Sequence, residues 1–476
     1  MNLPIQLFFD GTPRSSASGR RTTLINPATE APFAEVAAAE VADVHAAVES
    51  AQRAWESGWR DLAPGKRTEI LFNVARALRE NLERIAQMEM LSIGKPISDA
   101  RDEAGLGARV FEYYAGAIGK FCGQTIPVAR GGFDFTLRQS MGVVAAIVPW
   151  NFPFPIACWK AAPALAAGNC VVLKPASLSP LTALALGEIA HAAGLPPGVL
   201  QVLPGSGATV GDALATHPLV RKVSFTGSTE VGRRIMELAS RDIKRVSLEL
   251  GGKSPNIVFA DADWECAADT SPMSVFANTG QDCCARSRVF VERAIYEPFV
   301  EKFVAATKRL IVGDPAKPET QLGPLVSAGQ RASVEEFLGD ARQRGSKFVS
   351  GGNRPHAKGF YLEPTVLLDV GKDDRCWREE IFGPVVALTP FDDEAQMLRE
   401  VNASPYGLSG SIWTNNLSRA LRVSRAVQSG VLSVNSHSSA HVEAPFGGFK
   451  SSGLGRDLGM NAMEGYTELK NIYVAE

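Results

Sequence analysis

Apolar positions along the chain follow two periods. Between residues 66 and 92, Ile70, Leu71, Val74, Leu78, Leu82, Ile85 and Met88 recur at helical steps, with Arg and Glu between them. That spacing predicts one long amphipathic helix, and "GLGARVFEYYAGAIGKF" continues in helical style. From residue 142 the pattern changes: "VVAAIVPW", "CVVLKP", "VLQVLP", "KVSFTGS" and "RVSLELGG" are short apolar runs rich in β-branched residues. Between them lie "SPLTALALGEIAHAAG", "GATVGDALATH" and "STEVGRRIMELAS". Strand alternating with helix predicts βαβ units around a buried parallel sheet. Ligands of such sheets collect beyond the carboxyl ends of the strands, where the Gly-rich turns fall here. A second α/β block follows from about residue 252, with "NIVFA", "RVFVE", "GPVVALTPF", "SGSIWT" and "GVLSVNS" as strands and "EPFVEKFVAATKRL" as a helix. "RGGFDFTLRQSM" and "YTELKNIYVAE" have strand character, as an arm and a tail would. They pair either with an edge of another subunit or in a meander within their own; the pattern leaves both open.

Length and charge narrow the class. A chain of 476 residues exceeds one hydrophobic core, so two or three domains are expected. The formal charge of −2, with both signs interspersed, gives no reason to expect a nucleic-acid or membrane partner. No uncharged apolar run reaches the ~18 residues of a spanning helix, and the first residues do not read as a signal peptide. The seven cysteines show no C-x-x-C pair and no zinc-type spacing. Free thiols fit a reducing compartment, so a cytoplasmic protein is expected, with no metal.

Four elements could carry chemistry. "NTGQDCCARSR" places Cys283 and Cys284 in a Gly-containing turn beside Arg286 and Arg288. A cysteine there is either a nucleophile, which needs a favourable electrostatic setting, or an inert buried thiol. Glu249 ends a predicted strand in "SLELGGKSP"; it is a crevice-facing base or an edge carboxylate paired with a cation. Asn151 follows Trp150 directly after a strand; it is an oxyanion donor or a helix cap. "GSGATVG" and "FTGSTEVG" each follow a strand and open a helix, a setting that suits a pyrophosphate. Neither has the G-x-G-x-x-G spacing. His437 and His441, four apart after a strand, fit a pocket wall or loop better than a metal pair.

Taken in order, "PWNFPF", "LKPA", "FTGSTEVG", "LELGGKSP", "GQDCCARSR", "EEIFGPVV" and "PFGGFKSSGLGR" resemble the motifs of the aldehyde dehydrogenase superfamily over nearly the whole chain. The resemblance implies a Rossmann-like cofactor domain (1–118 and 142–251), an α/β catalytic domain (252–451) and a small β oligomerisation arm and tail (119–141 and 452–476). It implies Cys283 as nucleophile, Glu249 as general base and Asn151 as oxyanion donor, for oxidation of an aldehyde to its acid through a thiohemiacetal and a thioester. Lys174, Glu380 and Phe382 resemble residues that hold the adenine ribose, the nicotinamide ribose and the nicotinamide ring. Gly227 and Ser228 resemble the pyrophosphate contact, with Gly207 in the adenine-side turn and Trp150 and Phe225 nearby. Homodimers or homotetramers are implied as well.

Departures from the family pattern shape the rest. NAD-preferring members usually carry Glu where this chain has Ser177. A carboxylate would repel a 2′-phosphate, whereas a hydroxyl beside Lys174 can accommodate one, so NADP is expected to be accepted beside NAD. Asp457 stands where many relatives have Glu. Trp159 replaces the Arg typical of semialdehyde members, His437 replaces the Trp of an aromatic cage for trimethylammonium aldehydes, and Ala277 replaces a bulky aromatic of some relatives. A roomy pocket walled by Phe152, Trp159, Ala277, Asp282, Cys284, His437 and Phe446 is implied, suited to a medium-sized neutral aldehyde, aliphatic or aromatic. The alternatives are a semialdehyde or aminoaldehyde substrate, a CoA-acylating enzyme (disfavoured by Glu249), a thiol redox sensor, and a non-catalytic protein on the same scaffold.

Overall fold

The computed structural model describes residues 2–438 and 440–475. Its first sheet has eight strands, five of them parallel: Leu200–Val202, Cys170–Lys174, Val143–Ile147, Val220–Thr226 and Arg245–Glu249, side by side in that order. In chain order this is 3-2-1-4-5, the doubly wound arrangement, and it reverses direction between Val143–Ile147 and Val220–Thr226. Such a reversal opens a crevice beyond the carboxyl ends of the two strands. Antiparallel Leu7–Phe9 and Gly453–Leu454 border the parallel set. Val143–Ile147 and Cys170–Lys174 are buried throughout, which is why their sequences run apolar without alternation.

The second sheet has seven strands in the order Lys347–Ser350, Thr365–Leu368, Val385–Phe391, Arg288–Glu292, Pro255–Val258, Ser411–Trp413 and Ser433–Val434. All neighbours are parallel except the first pair. A third sheet resolves the arm and tail: Phe133–Ser140 pairs antiparallel with Thr467–Val474 of the same chain, from Val474 opposite Phe133 to Thr467 opposite Ser140.

The expected long helix over 66–92 is two helices, Pro64–Glu80 and Leu82–Ile93, meeting at Asn81. The Asn81 side-chain amide donates to the carbonyl of Ala77 at 2.9 Å, an alternative to the continuing backbone ladder that Asn readily offers. No helix among the described residues is long and apolar enough to cross a membrane.

Candidate active site

Cys283 is projected by a strained turn. The helix Trp264–Phe276 ends at Ala277, and then Asn278 (φ 51°), Thr279 (φ 57°) and Gly280 (φ 71°) are all left-handed. A left-handed non-Gly residue costs about 1–2 kcal/mol and persists only where its surroundings enforce it. Here the Asn278 amide donates to the carbonyls of Asn151 (2.9 Å) and Gln281 (3.2 Å), and the Thr279 hydroxyl donates to Gly323 O (2.8 Å). A Cβ on Gly280 would lie 2.2 Å from Gly383 O, so only glycine fits. The turn therefore packs against the crevice and carries the next residues into it.

A cavity of about 410 Å³ receives them. Its walls come from both sheets' surroundings: Phe152, Ile156, Trp159 and Glu249 from the first block, and Met273, Ala277, Asp282, Cys283, Cys284, Arg286, His437 and Phe446 from the second part of the chain. The rings of Trp159 and Phe446 meet edge-on at 5.2 Å. All seven side chains expected at the substrate pocket line this cavity, together with Cys283 and Glu249.

Glu249 closes its strand, opposite Thr226 on one side and Gly453 on the other. Both carboxylate oxygens are buried without a protein hydrogen bond. A Cβ on Gly447, whose φ is 157°, would lie 2.6 Å from one of them, so glycine leaves the carboxylate room. Burial pushes the Glu249 carboxyl well above the ordinary carboxylate range, and nearby Asp457 adds to the shift while Lys160 opposes it. Asp457 and Lys160 form a buried ion pair, Nζ to Oδ2 at 2.9 Å. Lys160 also reaches the hydroxyl of Ser224 at 3.1 Å.

Asn151 is 3% exposed and is not a cavity-lining residue. Its side-chain amide donates to the carbonyl of Gln281, two positions before Cys283 in the chain, at 3.0 Å, and an amide nitrogen carries a second N–H. Its own carbonyl accepts from Lys95 Nζ at 3.0 Å as well as from Asn278. Lys95, 1% exposed, also pairs with Glu103 and sits 4.1 Å from the centroid of the Phe152 ring. The Cys283 thiol is held well above its ordinary pKa, first by its hydrogen bond with Cys284 and then by burial. His437 is neutral: burial, and then the charge of Arg286, pull it down to about 3. Its ring nitrogens face the hydroxyls of Ser271 (3.3 Å) and Ser411 (3.0 Å), while His441 faces Ser438.

Of the groups expected to hold a cofactor, Glu380 lies beside the Cys283 backbone: a Cβ on Gly252 would be 2.4 Å from Cys283 O, and the Gly252 N–H donates to Glu380. Trp150 and Phe382 meet edge-on at 5.2 Å. Glu380 accepts from the N–H of Gly252 at 3.0 Å, and burial pushes it up to about 7. Ser228 caps the helix Thr229–Ser240, accepting from Val231 N, and Ser206 caps the turn that begins at Gly207. A Cβ on Gly227 would meet the ring of Phe225 at 2.5 Å, so glycine is needed beside that ring. Lys174, 4% exposed, donates to Pro175 O at 2.8 Å, and burial pulls it down to about 8. Ser177 donates its hydroxyl to Gly205 O at 3.0 Å. Two helix starts, a buried ammonium and a buried carboxylate form a donor set that fits a dinucleotide.

Sequence reasoning passed over Lys95, Glu103 and Lys160. A signal was present for Lys160: it is the lone charge in the wholly buried helix Pro153–Ala166, and a buried lysine requires a partner.

Comparison with known proteins agrees with this geometry. Residues 14–472 match the model of the aldehyde dehydrogenase family. The phenylacetaldehyde dehydrogenase of Pseudomonas fluorescens is 42% identical over 486 residues, covering 100% of this chain and 97% of that protein. Human retinal dehydrogenase 2 is 42% identical over 474 residues, covering 98% and 91%. Among solved structures, an indole-3-acetaldehyde dehydrogenase of P. syringae in complex with NAD+ and IAA superposes with a TM-score of 0.98 at 41% identity, covering 100% of this chain and 97% of that one. The chain therefore belongs to the aldehyde dehydrogenase family and is an oxidoreductase acting on aldehydes.

Proposed function

We propose that the protein oxidises a medium-sized neutral aldehyde, preferably one bearing an aromatic ring, to its carboxylic acid with NAD. The observation that carries this reading is that Cys283 and Glu249 line one cavity whose remaining walls are mainly apolar and aromatic. The similar proteins named for phenylacetaldehyde, indole-3-acetaldehyde and retinal support an aromatic or extended apolar substrate, and the NAD+ complex of P. syringae supports the cofactor.

As the Cys283 sulfur bonds to the aldehyde carbon its S–H proton passes to solvent, and the second N–H of the Asn151 amide, with the backbone N–H of Cys283, would hold the oxygen of the thiohemiacetal. Bound NAD would supply the hydride acceptor. Glu249 takes a proton from the water that hydrolyses the resulting thioester. Its raised pKa makes it an effective base once ionised. Glu380 would orient the nicotinamide ribose and Lys174 the adenine ribose, with Gly227 and Ser228 at the pyrophosphate and Gly207 in the adenine-side turn.

A panel of aldehydes assayed with NAD and with NADP tests the reading. An arylacetaldehyde is expected to exceed succinic semialdehyde and betaine aldehyde in kcat/KM by about 100-fold, because an ionic tail has no counter-group left in the aromatic wall. Selective turnover of either ionic aldehyde overturns it. In the same assay NADP is expected to support turnover, and Ser177→Glu to lower its kcat/KM by about 10-fold or more through like-charge repulsion, leaving NAD within a few-fold. The Lys174 ammonium is present below about pH 8, so the contribution of a 2′-phosphate is present there and declines as pH rises through that value. Equal loss for both cofactors in Ser177→Glu sinks the NADP reading.

Self-association is proposed from the third sheet. Phe133, Phe135 and Leu137 project to one face of their strand, and Ile472 and Val474 lie opposite Phe135 and Phe133 on the paired strand. Phe133 is 54% and Val474 50% exposed. A contiguous apolar face of this kind marks an interface. Light scattering is expected to give a dimer or tetramer for the parent and a smaller species for Phe133→Lys. A monomeric parent refutes it.

A further inference from the structure

Asp282, Cys283 and Cys284 are consecutive, yet their donor atoms converge: one carboxylate oxygen and two sulfurs all lie within 4.8 Å of one another. In an extended strand successive side chains would alternate sides. Here the turn after Gln281 sends all three into the same cavity. Asp282 is fixed by accepting from the backbone N–H of Cys284 at 2.8 Å. Glu103, Glu249 and Asp457 line the same cavity, and Glu249 brings two buried oxygens without a donor. The one arginine on the wall, Arg286, directs its guanidinium to Cys284 O, to Ser411 and to His437 O. Two soft donors and a hard one thus face one enclosure.

We propose that Asp282, Cys283 and Cys284 chelate a thiophilic divalent cation, zinc or cadmium, and that its binding masks Cys283 and blocks the aldehyde. Thiolates select such ions over magnesium or calcium, and a fourth, tetrahedral position is left to water on the cavity side. Two S–H bonds break and two metal–sulfur bonds form. Two protons leave to solvent, no atom changes oxidation state, and affinity rises with pH. The masking rests on Cys283 being the nucleophile; the chelation does not.

Cadmium titrated into the whole enzyme tests both, read by thiolate-to-cadmium ultraviolet absorbance and by aldehyde turnover. The background variant carries Cys122→Ser and Cys266→Ser, which removes the two exposed thiols. On that background one cadmium per chain is expected, with the absorbance of two thiolates and inhibition competitive with aldehyde. Cys284→Ser is expected to halve the absorbance and weaken cadmium binding by about 10-fold or more, since even outer-shell partners of a metal contribute that much. Asp282→Asn is expected to weaken binding while keeping the absorbance. Zinc is expected to displace cadmium and erase the absorbance. Cadmium affinity unchanged by Cys284→Ser, or absorbance that vanishes with Cys122 and Cys266, overturns the proposal. Two-thiolate absorbance in a protein that turns over no aldehyde would uphold the chelate and overturn the masking together with the proposed function.

Discussion

Cys283→Ala is expected to lower kcat for aldehyde oxidation by about 10³-fold or more while leaving NAD affinity within a few-fold. The reaction as proposed is divided by covalent intermediates on one sulfur, and no other side chain of the cavity can take over that role. Cys284 shares the cavity, but it is buried where Cys283 is partly exposed. The alanine keeps the backbone N–H that helps hold the oxyanion. It also removes no hydrogen bond of Lys174, Glu380, Ser206 or Ser228. Cofactor affinity measured by calorimetry, beside stopped-flow absorbance of the reduced cofactor, separates the two effects. Undiminished turnover in this variant would remove the nucleophile from the mechanism.

Glu249→Gln is expected to uncouple the two halves of the reaction. Hydride transfer needs only the thiohemiacetal, whereas hydrolysis of the thioester needs a base. The variant should release about one equivalent of reduced cofactor per site in a burst and then turn over about 10²–10⁴-fold more slowly, the range that general-base catalysis contributes. The pH dependence has a defined sign. Burial and Asp457 raise the Glu249 pKa well above its ordinary value, so the ionised base is scarce at low pH. The hydrolytic rate of the parent therefore rises with pH through that raised pKa, and the glutamine variant loses this rise. A steady-state rate equal to that of the parent, with no burst, would assign Glu249 a structural role instead.

The glutamine variant carries little risk to folding, because the orphaned carboxylate oxygens have no protein donor to lose. Lys160 and Asp457 differ in this respect. Breaking a buried ion pair strands its partner and costs about 3–5 kcal/mol, so either single substitution there would mix stability with chemistry.

Much of this was legible along the chain because the signals are local. Apolar runs with β-branched residues predict the parallel strands, since a strand covered on both faces needs apolar side chains at every position; Val143–Ile147 and Cys170–Lys174 are such strands. The break at Asn81 was not legible, because apolar spacing continues in register across it and the competing hydrogen bond to Ala77 belongs to one side chain. The cavity walls expected from motif positions came together, while Lys95, Glu103 and Lys160 entered from segments with no motif of their own. The convergence of Asp282, Cys283 and Cys284 was hidden for a related reason. Zinc-type spacings separate donors by two or more residues, so three adjacent donors count as a site only once the backbone turn is known.

The sequence by itself determined the layered α/β architecture, the family and the identity of the cysteine, carboxylate and amide in its motifs, because each depends on residue types at short spacing. Tertiary structure alone decided that Glu249 and Cys283, 34 positions apart, open into one cavity. It also decided that the arm and tail pair within one chain, and that Asp457, over 200 positions downstream of Glu249, acts on its charge. Proton affinities and cavity walls are sums over neighbours in space, and spatial neighbours distant along the chain leave no periodic trace in it.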